Sequence, residues 1–150
     1  MITLSGAIRP FAFLTIALTS VACQAIDNPD APNYLDAFQS EASAYEQAIF
    51  EESQTTSDSM EAYRKYIAFL EEELVAANSA LENELSGSEG DVFEEAQRAW
   101  EAYQEAEKHF VSTVWTPQNF GSSSAFSRLA FYADVVRGRI ELLQKYRLQF

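Results

Sequence analysis

From about residue 33 onward, apolar residues recur every three or four positions, which predicts amphipathic helices. Four such segments cover about residues 33–54, 60–85, 91–114 and 126–143, and none has proline in its interior. No stretch sustains the alternation of a strand. The pattern therefore predicts an all-α fold, a compact antiparallel bundle of about four helices.

Each predicted helix presents one apolar stripe to the core. The stripes are Leu35, Phe38, Ala42, Tyr45 and Ile49; then Met60, Tyr63, Ile67, Leu70, Leu74, Ala77, Leu81 and Leu85; then Phe93, Ala96, Trp100, Tyr103, Phe110 and Val114; and finally Phe126, Leu129, Ala133, Val136, Ile140 and Leu143. Residues 55–58 form the first break and are rich in N-capping side chains. After the Gly-Ser segment 86–90, Asp91 and Glu94 have the spacing of a helix cap.

The first 25 residues have the features of a signal peptide. Arg9 is the only charged residue before an uncharged run at 11–22, which is shorter than the roughly 20 apolar residues of a membrane-spanning helix. One interpretation is cleavage after Ala25. The other is a lipobox at residues 20–23, in which Cys23 becomes a lipidated N-terminus and anchors the protein to a membrane. Both predict an exported protein, either periplasmic or lipid-anchored in the cell envelope.

The predicted mature chain, residues 26–150, has the length of a single domain with one hydrophobic core. It holds 23 acidic and nine basic residues, a net charge of −14. Five of the bases lie in the last 30 residues, so we expect the fourth helix to pack among the other three. Such acidity argues against nucleic acid as a partner. It would attract a cationic protein, or it serves solubility alone.

The chain offers few residues for catalysis or metal binding. His109 is the only histidine and Cys23 the only cysteine. A di-iron site needs Glu-x-x-His on two helices and so cannot form, and we expect His109 to be solvated or at a helix end rather than part of a catalytic triad. Acidic runs such as residues 71–73 fall on predicted exposed faces. A hydrolase would need a cleft with two converging acids, one of raised pKa. We therefore predict no catalytic, metal-binding or cofactor-binding residues.

Residues 96–107, AQRAWEAYQEAE, resemble the "QRAW…YRDAE(C)" segment of the LprI-type lysozyme-inhibitor domain of exported bacterial proteins. That domain continues with a Gly-Ser loop, matched by Gly121-Ser122, and ends in a helix of form LTRxRxxxL, matched by residues 135–143. The resemblance covers roughly residues 58–146. Its motif residues here are Gln97, Arg98, Trp100, Tyr103, Arg137, Arg139 and Leu143.

These motif residues also have a structural interpretation. Trp100 and Tyr103 lie on the predicted buried stripe, and Arg98 and Arg139 are expected to orient the third and fourth helices. Members of the family usually carry two cysteines, whereas this chain has Lys108 at the first position and no later cysteine. Because a lost disulfide costs about 2–5 kcal/mol, we expect aromatic packing to compensate. The aromatic residues concerned are Trp100, Tyr103, Phe110, Phe126, Phe131 and Tyr132.

The resemblance implies a lysozyme inhibitor that binds its cationic target through an acidic surface. The alternative is an envelope binding or assembly module with a different partner. The candidate partner-binding loop spans residues 115–123, since aromatic residues on a loop suit a binding anchor. Alternatively, its two aromatics fold back and seal the end of the bundle. The candidate contact residues are Trp115, Gln118, Asn119, Phe120, Gly121 and Ser122.

Overall fold

The computed structural model describes residues 32–147; the predicted signal peptide and Cys23 lie outside the described residues. The long helices are α1 (Tyr34–Gln47), α2 (Thr56–Glu84), α3 (Ser88–Val114) and α5 (Ser124–Arg147), and α4 is a single turn (Pro117–Phe120). A π-helical turn (Ala48–Glu52) extends α1, and a 3-10 turn (Gly121–Ser123) leads into α5. Residues 32–147 contain no strand, so the predicted all-α bundle is confirmed.

Side-chain caps define the starts of the first two helices. The Asn33 side chain accepts a hydrogen bond of 3.1 Å from the Asp36 backbone N–H. At the start of α2, the Thr55 and Asp58 side chains each accept a hydrogen bond from the other's backbone N–H, which is a capping box. The predicted break at residues 55–58 is therefore the N-terminus of α2.

The turn between α2 and α3 is tighter than the sequence pattern indicates. It consists of residues 85–87, and Gly87 has a φ of 58°, a conformation that residues with a Cβ rarely adopt. This glycine lets α3 begin at Ser88. The predicted cap at Asp91 is wrong, because Asp91 already lies in the first turn of the helix.

The core lies mainly between α1, α2 and α5, and α5 contacts each of the other three long helices. The expectation that the basic last helix packs among the acidic ones is confirmed. A larger core cluster contains Phe38, Ala42, Ile49, Tyr63, Tyr66, Leu70, Ala133, Val136 and Ile140. A smaller one, where α3 begins, contains Ala77, Leu81, Phe93 and Leu143.

Helix α3 is rotated away from its predicted orientation. Phe93 and Val111 are buried, but Tyr103 and Phe110 are 53% and 58% exposed, so their predicted place in the core is wrong. The inward face is polar in its middle, where Gln104 is half-buried. No helix within residues 32–147 is both long and apolar enough to cross a membrane.

Candidate partner-binding surface

The candidate binding loop folds into a compact helical turn at one end of the bundle. Trp115 stacks on Phe120, with ring centroids 5.0 Å apart, and meets the ring of Phe131 in α5 edge-on at 5.5 Å. The Trp115 carbonyl accepts a hydrogen bond of 2.6 Å from Arg128 Nη1. Phe120 remains 45% exposed. Trp115 thus closes the end of the bundle, and Phe120 covers it while staying open to solvent.

The polar loop residues Gln118, Asn119, Gly121 and Ser122 are all exposed. The Asn119 side chain donates a hydrogen bond of 2.9 Å to the Val114 carbonyl at the end of α3. Gly121 has a φ of 71°, which again favours glycine. Asn119 and Gly121 therefore shape the turn, whereas the side chains of Gln118 and Ser122 make no hydrogen bond within residues 32–147.

Arg139 lies in the contact between α3 and α5 and is only 8% exposed. Its Nη2 donates a hydrogen bond of 2.9 Å to Gln97 Oε1, and its guanidinium carbon lies 5.5 Å from the centre of the Trp100 ring. Its Nε has no hydrogen-bond partner within residues 32–147. Burial lowers the pKa of the Arg139 guanidinium. The motif residues Gln97 and Trp100 of α3 therefore meet Arg139 of α5 in one contact that joins the two helices.

The other motif residues of α3, and the motif leucine of α5, lie apart from this contact. Arg98 pairs with Glu94 of its own helix at 3.4 Å, and both side chains are exposed. The expectation that Arg98 orients the third and fourth helices is wrong, because both members of this pair belong to α3. Tyr103 is exposed, and Leu143 is fully buried beside Phe93.

Arg137 connects three helices through two carboxylates. Its Nη1 pairs with Glu46 of α1, and its Nε donates a hydrogen bond of 3.1 Å to Glu141. The Tyr66 hydroxyl of α2 donates to the same Glu46 oxygen at 3.2 Å. Burial raises the pKa of the Tyr66 hydroxyl. This network is not apparent from the sequence, because Glu46 and Arg137 are 91 positions apart.

Lys108 stands where the resemblance leads us to expect a cysteine, and it also joins two helices. Its Nζ lies 4.9 Å from the centre of the Tyr132 ring in α5 and 3.0 Å from Glu105 Oε1. This cation–π contact is one attachment of α3 to α5. The aromatics expected to compensate for the missing disulfide do so only in part. Trp100, Phe126, Phe131 and Tyr132 are half-buried, whereas Tyr103 and Phe110 are exposed.

A largely apolar hollow of about 360 Å³ lies between α2, α3 and α5, lined by residues such as Leu129 and Phe131. Its three basic side chains are already engaged: Arg64 by Glu61, Lys108 by Glu105, and Arg128 by the Trp115 carbonyl. The hollow therefore presents no free charge that would fix a ligand.

Two carboxylates, Glu41 and Glu73, line a smaller hollow between α1, α2 and α5, together with Arg147. Burial raises the pKa of Glu73, and the negative charges of Glu41 and Glu72 add to the shift. A hydrolase would use such a pair, but the hollow has a volume of about 190 Å³. Ligand sites usually measure roughly 300–1,000 Å³, so a polysaccharide segment does not fit. Residues 32–147 contain no cluster of three or more side chains placed to hold a metal.

The acidic side chains dominate the surface. Ion pairs engage six of the 21 acidic residues between positions 32 and 147. The other 15 carboxylates have no cationic partner in the described part of the chain. The resulting negative field attracts cationic proteins and repels nucleic acid.

Neither a curated protein nor a solved structure matches this chain. A family model does match, described as "Lysozyme inhibitor LprI", over residues 36–143. The matched range takes in most of α1, all of α2 and α3, and most of α5. It also contains the contact of Gln97, Trp100 and Arg139. The chain therefore belongs to the LprI lysozyme inhibitor family.

Proposed function

We propose that the protein is an exported bacterial envelope protein that binds and inhibits a cationic lysozyme and has no enzymatic activity of its own. It would act in the periplasm or from a lipid anchor on Cys23. The observation that carries this proposal is the match of residues 36–143 to a lysozyme inhibitor family. The unpaired carboxylates support it, because an acidic surface steers a cationic enzyme toward the inhibitor and increases the association rate.

Inhibition would be steric, by obstruction of the substrate cleft of the lysozyme. The hollow beside Glu41 and Glu73 is too small for a polysaccharide segment. A helix face or the turn around Phe120 would instead cover the substrate cleft of the enzyme. A binding mode of this kind predicts a complex of one inhibitor with one lysozyme.

The test is a titration of residues 26–150 into an animal-type lysozyme, with residual muramidase activity measured at low and moderate salt. Saturable inhibition near one-to-one that persists at moderate salt supports the proposal. Weak attraction that salt abolishes would reflect only the opposite net charges of the two proteins, because exposed charges are screened over about 8 Å at 0.15 M. That outcome, or no inhibition at all, removes lysozyme as the target and favours an envelope module with a different partner.

A further inference from the structure

One face of α3 is apolar and takes no part in the bundle. Its residues are Val92, Ala96, Ala99, Tyr103, Ala106 and Phe110, and all six are exposed. Their spacing of four and three places them on one side of the helix, over about 27 Å of its length. We call this set the α3 stripe.

The α3 stripe differs from the other exposed apolar positions of the protein. Eight large apolar side chains are exposed among the described residues, and three of them lie on the stripe: Val92 at 65%, Tyr103 at 53% and Phe110 at 58%. Phe50 and Val75 are as exposed but lie singly, on the π-helical turn and on α2. Single exposed apolar residues are ordinary, whereas a continuous apolar row marks an interaction surface.

The edges of the stripe are acidic. Glu89 lies at its N-terminal end, Glu95 along one edge and Glu107 along the other, and none of them has an ion-pair partner within residues 32–147. The two basic side chains of α3 are already neutralised within the helix: Arg98 pairs with Glu94, and Lys108 with Glu105. The stripe is thus an apolar row framed by uncompensated negative charge.

We propose that the α3 stripe is the surface that docks the protein partner, and that the partner presents an apolar groove bordered by lysine or arginine residues. The inference deepens the proposed function and rests on it. In this mode a helix lays its apolar face into a groove, with anchors at spacings of three and four. Tyr103 and Phe110 are the anchors, since aromatic residues carry much of the energy in such contacts. The alanines of the stripe, Ala96, Ala99 and Ala106, let the groove approach the helix backbone closely.

Charge favours a cationic protein groove over two other possible occupants of the stripe, a second copy of the protein and an anionic membrane. In a pair of identical copies, the unpaired carboxylates of both α3 helices would face one another, and like charges across an interface weaken it. A helix that lies on an anionic membrane carries lysine and arginine on its polar face, and here that face is acidic. A cationic protein groove is the occupant that satisfies both the apolar row and its edges.

The test compares two double variants of residues 26–150, each of which removes two exposed apolar side chains. We expect Y103S/F110S to raise the dissociation constant for an animal-type lysozyme by about tenfold or more. The concentration needed to inhibit the enzyme should rise by the same factor. The control F50S/V75S removes side chains of similar exposure elsewhere and should leave binding unchanged. Circular dichroism and the thermal midpoint verify that each variant is folded.

A single variant tests the same face without removing an aromatic residue. A99R places bulk and positive charge in the middle of the stripe, at an exposed helix position. It should weaken binding of a cationic partner as strongly as Y103S/F110S does. Inhibition by Y103S/F110S and A99R equal to that of the original protein would overturn the stripe as docking surface and leave the proposed function standing. If the original protein does not bind lysozyme, both proposals fall. A dimer in sedimentation that A99R dissociates would assign the stripe to a second copy and overturn the inference.

Discussion

At the scale of single residues, two arginines of one motif do different things. Arg139 is buried between α3 and α5, bonded to Gln97 and placed over the ring of Trp100. Arg98 makes an exposed pair with Glu94 one helical turn away. A buried hydrogen bond to a charged group stabilises far more than an exposed ion pair, because solvent screens the latter. Membership in the motif therefore does not by itself indicate how much a residue contributes to the stability of the fold.

We expect R139A to lower the free energy of unfolding by about 1–3 kcal/mol, since it removes a charged hydrogen bond and leaves Gln97 Oε1 without its donor. R98A should lower it by about 0.5 kcal/mol or less. Urea denaturation followed by circular dichroism measures both. Equal effects would mean that the Arg139 contact does not hold α3 on α5.

At the scale of elements, the tight turn between α2 and α3 depends on one of two nearby glycines. Gly87 has positive φ, whereas Gly90 lies in the first turn of α3. A Cβ on either would meet no other atom within 4 Å. Steric crowding is thus the same at both positions, and only the backbone conformation differs.

We expect G87A to destabilise the protein by about 1–3 kcal/mol, because alanine is strained at this backbone conformation. G90A should stabilise it by about 0.5–1 kcal/mol, because alanine has the higher helix propensity. Thermal unfolding of the two variants gives the comparison. A G87A protein as stable as the original would show that the turn adopts another conformation in solution.

At the scale of the whole molecule, the negative charge that would attract a cationic partner also destabilises the folded state through self-repulsion. Most carboxylates lack a cationic partner among residues 32–147, and Glu73 is half-buried beside Glu41. The folded state thus raises the pKa of Glu73. As the pH rises, the unfolded chain releases this proton first, so the contribution of Glu73 to stability is lost between its ordinary pKa and its raised pKa.

We therefore expect the thermal midpoint of the protein to rise as the pH is lowered from 7 through the raised pKa of Glu73. E73Q should raise the midpoint at pH 7, and its advantage should shrink as the pH falls through the raised pKa of Glu73. E82Q is the matched control, since Glu82 is exposed on the same helix. Differential scanning calorimetry across this pH range measures both. An equal gain from E82Q would assign the effect to net charge alone.

Much of the fold and part of the candidate surface follow from local sequence. The apolar positions of α1, α2 and α5 were predicted well, and so was the break before α2, because a single apolar stripe leaves one way to bury each helix. The loop at Trp115 was predicted as a candidate anchor or a seal, and its packing on Phe131 depends on a residue of another helix. The Arg137 network was not predictable, since its partner Glu46 lies far away in the chain.

By itself, the sequence determined the helices, their acidity, the basic character of the last helix and the family motif. Only the tertiary structure decided which side of α3 faces the core. That helix has two parallel rows at spacings of three and four, one through Phe93, Trp100 and Val111 and one through Val92, Tyr103 and Phe110. Periodicity cannot choose between them, because both satisfy the helical repeat. Contacts with α5, above all that of Arg139 with Trp100, turn the first row inward and leave the second exposed.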